Sequence, residues 1–577
     1  MNKKILCTFF AIICLLALSG CEPELVEVEP EVTREVEVTR ETVVEDVPTE
    51  AKTVPEIESE PAIVVTPVTV GGSAAEPVAE AESIAEPVPV IVAPETDAPV
   101  EPQPSTLRIS HGLVWSGEET IDPYAPTHFV EYSLFAYERL IRLDAAGNLI
   151  PGLATAWESN NDSTVWTVTL RDGVLFHDGA TLAPGDVVYS LERMINPSAG
   201  STLAPVLEAI AAVAPAGGNQ VTIGLSAPNI EFPLLLTDPR AVILRRGGGE
   251  TITSDGIGTG PFKLKNLDTL GMTELSVFKE YWGGQSGIEQ VAIIGIADPE
   301  SRVQAMLAGQ IDLLDQVTID QKPLFAGSNE FSLQNIPTGN WRGFVMRTDT
   351  APFDDPAVRK ALRVVADRQA LIDQVLNGSG TIACDHPVWN GDQYWTAISC
   401  PQDIELAKSL LAEAGYPNGI EVDLYTSALD PYWPKMITAY QAQAAAADIT
   451  INVIETPIDT FWSNSWLIDP FVTTSWNARP APLILNEAWR SSAPWNETYW
   501  QSPEFDALLD SAAGEPNFAV RKSQYAQLQN TLWESGGAFI PFHINQTRII
   551  STCIAGVLPV AAEHVDFSLI VKTPNCN

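Results

Sequence analysis

Residues 22–105 contain no phenylalanine, tyrosine or tryptophan, although the chain as a whole carries 19, 12 and 15 of them. The same stretch holds 21 Asp and Glu against three basic residues, Arg34, Arg40 and Lys52, and so supplies 18 of the 42 net negative charges. Prolines punctuate it, among them Pro61, Pro67, Pro77, Pro87 and Pro89. A segment of this kind cannot bury enough apolar surface to offset the entropy lost on ordering. The near-repeat EVTREVEVTRET at 31–42 alternates valine with charge as a strand would, but no partner strand stands nearby. Residues 22–105 are therefore expected to be a disordered, acidic, Pro-rich tether with a mean span on the order of 50 Å. Whatever folds must lie in 106–577.

What precedes the tether has the form of an export signal over residues 1–20. Lys3 and Lys4 are its charged start, and Ile5 to Leu18 is an apolar run too short to span a membrane. It ends in Leu18-Ser19-Gly20-Cys21, the pattern of a lipobox, in which the Cys21 thiol is acylated and becomes the mature N-terminus. The alternative is an ordinary signal peptide with an incidental cysteine. A single lipid chain holds a protein marginally and two or more anchor it stably.

The 472 residues of 106–577 exceed what one hydrophobic core normally holds, so at least two lobes are expected. Their net charge of −26, with Lys3, Lys4 and the tether set aside, argues against nucleic acid as a partner. Four cysteines fall in this body. Their spacing favours two local loops, Cys384–Cys400 and Cys553–Cys576, out of three possible connectivities. No CxxC occurs, and the six histidines lack metal-ligand spacing, so neither a metal nor a cofactor is expected.

Helix and strand signals interleave along the body, which argues for α/β layers. DDPAVRKALRVVADRQALIDQVL offers Asp355 as N-cap and Pro356 at the first helical position, then keeps helical spacing through Val375. DIELAKSLLAEAGYPNG starts at Asp403 and stops at Gly415; SPEFDALLDSA repeats the cap logic at Ser502; a longer helix ends at Gly536-Gly537. STVWTVTLRDG, QVTIGL and EQVAIIGI read as strands, the first turning at Asp172-Gly173. No GxSxG, HExxH or P-loop is present. His177 and His543 read as structural residues.

Six collinear segments carry a resemblance. GLATAWESNNDSTVWTVTLRDGVLFHDGATLAPGDVVYSLERM (152–194), GTGPFKL (258–264), MLAGQIDLLD (306–315), APFDDPAVRKALRVVADRQALIDQVL (351–376), AKSLLAEAGYPNG (407–419) and SPEFDALLDSA (502–512) together resemble the family 5 extracellular solute-binding proteins. These are the dipeptide-, oligopeptide- and nickel-binding components of ABC importers. At Ala183, before Pro184, the chain departs from the capping Thr or Ser usual in the family.

The resemblance implies a two-lobed type II periplasmic-binding-protein fold with a hinge and an extra subdomain in the first lobe. Lobe I would span 106–345 with 541–577, and lobe II 346–540, the chain crossing near Met346 and near Pro541. It implies a monomer that closes on a solute, serves a permease and its ATPases, and does no chemistry on the ligand. A secreted hydrolase or a lipoprotein with no transport role are the competing readings. By resemblance the pocket draws on Trp115, on Trp341 and Arg342, and on Trp476, Asn477 and Arg479; Trp389, in the expected disulfide loop, is a further candidate. Where peptide-binding relatives read GWxADYPDP, this chain reads SWNARPAP, with no acid and with Arg479 at or beside the aspartate position. A buried cation needs an anion. The two candidates are a ligand carboxylate or phosphate, and an acid of the protein such as Asp469 or a residue of the facing lobe. The first favours an acidic small molecule, an opine-like conjugate or a modified peptide.

Overall fold

The computed structural model describes residues 105–112, 119–144, 147–315, 317–560 and 565–573. Two sheets organise them. The first places strands in the order 331–336, 546–551, 313–314, 106–111, 290–295, 272–277, 262–266. At its centre Thr106–His111 pairs in parallel with Gln290–Gly295, Thr106 opposite Gln290. Thr106–His111 alternates, burying Leu107, Ile109 and His111, while Gln290–Gly295 buries Val291, Ala292 and Ile293 in succession. A four-stranded antiparallel sheet in the order 154–159, 165–170, 220–225, 210–217 is built on this lobe. Its Trp166, Val168 and Ile223 belong to the same core as Leu107 and Val291. It is the extra subdomain.

The second sheet runs 380–382, 538–544, 341–346, 471–476, 420–426, 449–455. Ala538–Ile544 is buried at every position, as an apolar run at the middle of a sheet covered on both faces should be. Trp341–Met346 pairs with it on one side and with Phe471–Trp476 on the other. Both crossing strands thus belong wholly to this sheet. Residues 337–340 join the first-sheet strand 331–336 to Trp341–Met346, and Asn545 joins Ala538–Ile544 to the first-sheet strand 546–551, so these are the links between the two sheets. The apolar runs WRGFVM and AFIPFHI pair with each other, so neither can be divided between lobes.

Three local expectations are refined. The stretch from Asp355 forms two helices, Pro356–Val364 and Arg368–Leu376, because Asp367 caps the second by accepting the Ala370 N–H (2.9 Å). Helix Phe518–Ser535 does end at Gly536, but its last carbonyls are taken by arginines of another element. Arg363 donates to Leu532 O (2.9 Å) and Arg359 to Ser535 O (2.7 Å), both from helix Pro356–Val364. His177 is structural: its ring bridges the Gly258 N–H (3.2 Å) and Gly260 O (3.0 Å). Those glycines cannot carry a Cβ, since it would lie 2.0 Å and 2.5 Å from the Ala136 and Phe135 carbonyl oxygens. Cys384 and Cys400 form a disulfide, with Cα atoms 5.7 Å apart. Cys553 is also disulfide-bonded; its expected partner Cys576 lies outside the described residues, as do Cys21 and the tether up to residue 104.

Candidate functional site

Ligands of open α/β sheets bind beyond the carboxyl ends of parallel strands. In the second lobe the parallel strands 420–426, 449–455 and 471–476 end at Thr426, Glu455 and Trp476. There the pairing register sets Trp476 directly opposite Trp341. Their rings stack at 6.5 Å and 15°, with Trp489 tilted against Trp341 at 6.0 Å and Trp495 edge-on to Trp476 at 5.9 Å. Trp341 is 1 % exposed, so it is a core residue supporting the wall rather than its surface; Trp476 is 9 % exposed. Trp115 lies outside the described residues.

The loop after Trp476 is held to both inter-lobe links. The Ala478 N–H donates to Asn340 Oδ1 (2.7 Å). Asn340 O in turn accepts the Ile544 N–H (2.7 Å), and Thr338 Oγ1 donates to Ile544 O (2.7 Å). The loop is thus tied directly to Asn340 and, through it, to the end of strand Ala538–Ile544. From the disulfide loop, Asp392 Oδ2 accepts the Ala481 N–H (2.8 Å), capping the first turn of helix Ala481–Ala488. Trp389 packs beneath the link itself: a Cβ on Gly339 would stand 2.5 Å from its ring. Its place here is steric support of the crossing.

Arg479 emerges between two indoles, its guanidinium 5.7 Å from the ring centres of both Trp476 and Trp495. Its Nη1 donates to both carboxylate oxygens of Glu487, at 2.8 and 2.6 Å. The protein acid beside it is thus Glu487, eight residues on and one helix later; Asp469 is not the partner. Among the described residues Nε and Nη2 make no further hydrogen bond, and the side chain keeps 25 % of its exposure. Burial pushes Glu487 up to about 7 despite the opposing Arg479 charge. Across the lobes, the buried Asp238 binds Arg240 Nε and Nη2 at 2.9 and 2.7 Å. Arg479 acts on Asp238, and both members of that pair act on Glu487. Arg342, the other expected cation, is paired to Asp430 and donates to Trp341 O (3.0 Å). Asn477 is exposed.

The wall thus brings together Trp341, Arg342, Trp476, Asn477 and Arg479, with Trp389 behind it. Sequence reading missed Glu487, Asp430, Asp392 and Asn340. Only the eight-residue spacing of Glu487 from Arg479, a turn followed by two helical turns, offered a signal. Among the described residues no group of three or more His, Cys, Asp or Glu is placed to hold a metal ion, and no helix is long and apolar enough to cross a membrane. A cavity of about 250 Å³ lined by residues such as Tyr137, Arg142, Tyr281 and Asp566 belongs to the first lobe alone.

A model of bacterial extracellular solute-binding proteins, family 5 (Middle), matches residues 148–501. Among curated proteins, the glutathione-binding protein GsiB of Pectobacterium atrosepticum is 25 % identical over 448 residues, covering 72 % of this chain and 84 % of its own. Heme-binding protein A of Haemophilus influenzae is 27 % identical over 439 residues, covering 68 % and 79 %. Among solved structures, the binding protein AgaA of A. tumefaciens R10, in complex with agropinic acid, superposes with a TM-score of 0.70 at 23 % identity, covering 81 % of this chain and 99 % of its own.

Proposed function

The chain belongs to family 5 of the bacterial extracellular solute-binding proteins, the substrate-binding components of ABC importers, and from that premise we propose that its solute is peptide-like or a small organic acid, bound through a carboxylate. Its fold is the α/β type II periplasmic-binding-protein architecture. The observation that carries the ligand reading is Arg479. Glu487 occupies one of its nitrogens, while among the described residues the Nε and Nη2 edge, framed by Trp476 and Trp495, has no hydrogen-bond partner. That edge matches a carboxylate in two parallel charge-assisted hydrogen bonds. The loop has no acid to receive an α-ammonium. Glutathione, heme and agropinic acid, the ligands named for the three relatives, all bear carboxyl groups, which supports the same class.

In this reading contacts from both lobes stabilise the closed form, so binding shifts an open–closed equilibrium, and the permease reads the result. The ligand leaves unchanged: the protein is a carrier and no enzyme. Calorimetry of the full chain against glutathione, agropinic acid and heme tests the ligand class. At least one is expected to bind, and Arg479→Ala to cost on the order of 2–5 kcal/mol of that affinity, with Arg479→Lys recovering part. Equal affinity for a fully amidated analogue would refute it. Mass spectrometry of the released ligand checks that nothing was cleaved.

A further inference from the structure

The lobes also meet along a seam that runs on from the candidate site. After strand 220–225 the first-lobe segment 228–242 lies against helices Ala481–Ala488, Pro503–Gly514 and Phe518–Ser535 of the second lobe. The Ile230 N–H donates across the seam to Ala513 O at 2.8 Å. Beside it, Glu231 is 5 % exposed and reaches into the second lobe. Its Oε2 accepts the Tyr525 hydroxyl at 2.6 Å, and its Oε1 stands 3.6 Å from Arg521 Nε. Arg521 Nε itself donates to the Tyr394 hydroxyl at 2.7 Å, and the Tyr394 and Tyr525 rings stack at 4.2 Å. A first-lobe carboxylate is therefore engaged wholly by second-lobe donors. Separating the lobes there removes all of them together.

We propose that this seam is a closure latch: Glu231 against Tyr525 and Arg521, with the Ile230–Ala513 backbone bond, favours the closed arrangement whether or not a ligand is present. The inference rests on the lobes hinging, as read above, and not on which solute is bound. Interactions made only in the closed form multiply the apparent affinity for every ligand by one factor. The latch then sets how tightly the protein holds its solute, while Arg479 and its neighbours set which solute is held. Opening the seam would leave the Glu231 carboxyl without its Tyr525 hydrogen bond and its Arg521 neighbour; Oε1 is buried with no hydrogen bond even here.

Hydrogen exchange on the full chain, stripped of ligand, tests this without any ligand being identified. In the natural protein the Ile230 amide is expected to exchange faster than the core strand Phe471–Trp476, because lobe opening exposes it while the core stays folded. Tyr525→Phe and Glu231→Gln are each expected to speed Ile230 exchange roughly tenfold, with the core strand unchanged. An Ile230 amide exchanging only as slowly as the core strand in the natural protein would show that the lobes never part at this seam, and overturns the proposal with no variant needed. Variants that leave the Ile230 rate unchanged overturn it equally. Failure to bind any carboxylate would leave this result standing, so the two readings fail separately.

Discussion

Arg479 illustrates how a single side chain can be legible in kind and not in role. The sequence shows a cation in a loop where relatives carry an acid. The structure supplies half an answer, Glu487, bound at 2.6 Å and itself pushed up to about 7 by burial. If Arg479 also serves the ligand, Glu487 competes with it. Glu487→Gln should then tighten carboxylate binding several-fold while Arg479→Ala weakens it by the roughly 2–5 kcal/mol given above, and titration calorimetry of the two variants reads both. Glu497 makes a cleaner test of electrostatics, since its neighbours are uncharged: it accepts the Thr474 hydroxyl at 2.7 Å and the Trp466 indole N–H. Burial pushes it up to about 7 from an ordinary 4.5. Its contribution to stability is thus fully present below about 4.5 and is lost as pH rises through about 7. His177 and His543, each lowered to about 4 by burial, run the other way: their contribution is present above the usual 6.5 and is lost as pH falls through about 4. The natural protein's melting curve mixes these opposed trends. The difference between it and Glu497→Gln isolates one carboxyl, and the variant is expected to gain relative stability steadily between pH 4.5 and 7.

Helix ends carry the lesson at the scale of elements. The caps that follow simple sequence rules appear where expected: Asp355, Asp403 and Ser502 each accept a first-turn N–H. Helix Pro184–Met194 lacks such a cap: Ala183 has the extended backbone usual at an N-cap (φ −134°, ψ 160°) but no side-chain acceptor. Asp186 supplies the reciprocal half, accepting the Ala183 N–H at 2.8 Å. Ala183→Thr should complete the pair and stabilise the protein by about 1 kcal/mol, read as a higher denaturant midpoint. The C-terminus of Phe518–Ser535 follows no local rule. Two arginines some 170 residues earlier in the chain, Arg359 and Arg363, neutralise its carbonyls, and nothing in the helix's own sequence announces them.

At the scale of the whole molecule, the expectation read from the sequence is that residues 22–105 link the binding body to a membrane through an acylated Cys21. This reading requires Cys21 to be the anchor. Cys21→Ala, in chains whose signal is still cleaved, is expected to move the protein into the soluble fraction with ligand affinity unchanged. Fractionation followed by calorimetry on the released protein checks both halves. Retention at the membrane would remove the lipid from the account and leave the binding site untouched.

The sequence alone determined whatever depends on neighbours along the chain. Its composition sets the acidic, aromatic-free residues 22–105 apart from a body with enough apolar residues to form cores. The apolar periods and caps of that body give most helices and strands, and six ordered segments identify the family. What it could not determine depends on residues distant in sequence meeting in space. Glu487 beside Arg479, Asp430 beside Arg342, Trp389 beneath Gly339 and Glu231 reaching Tyr525 are all consequences of which strands pair and how two lobes are laid together. The lobe boundaries have the same origin. An apolar run such as AFIPFHI announces a buried strand, but only pairing with WRGFVM decides which sheet it enters.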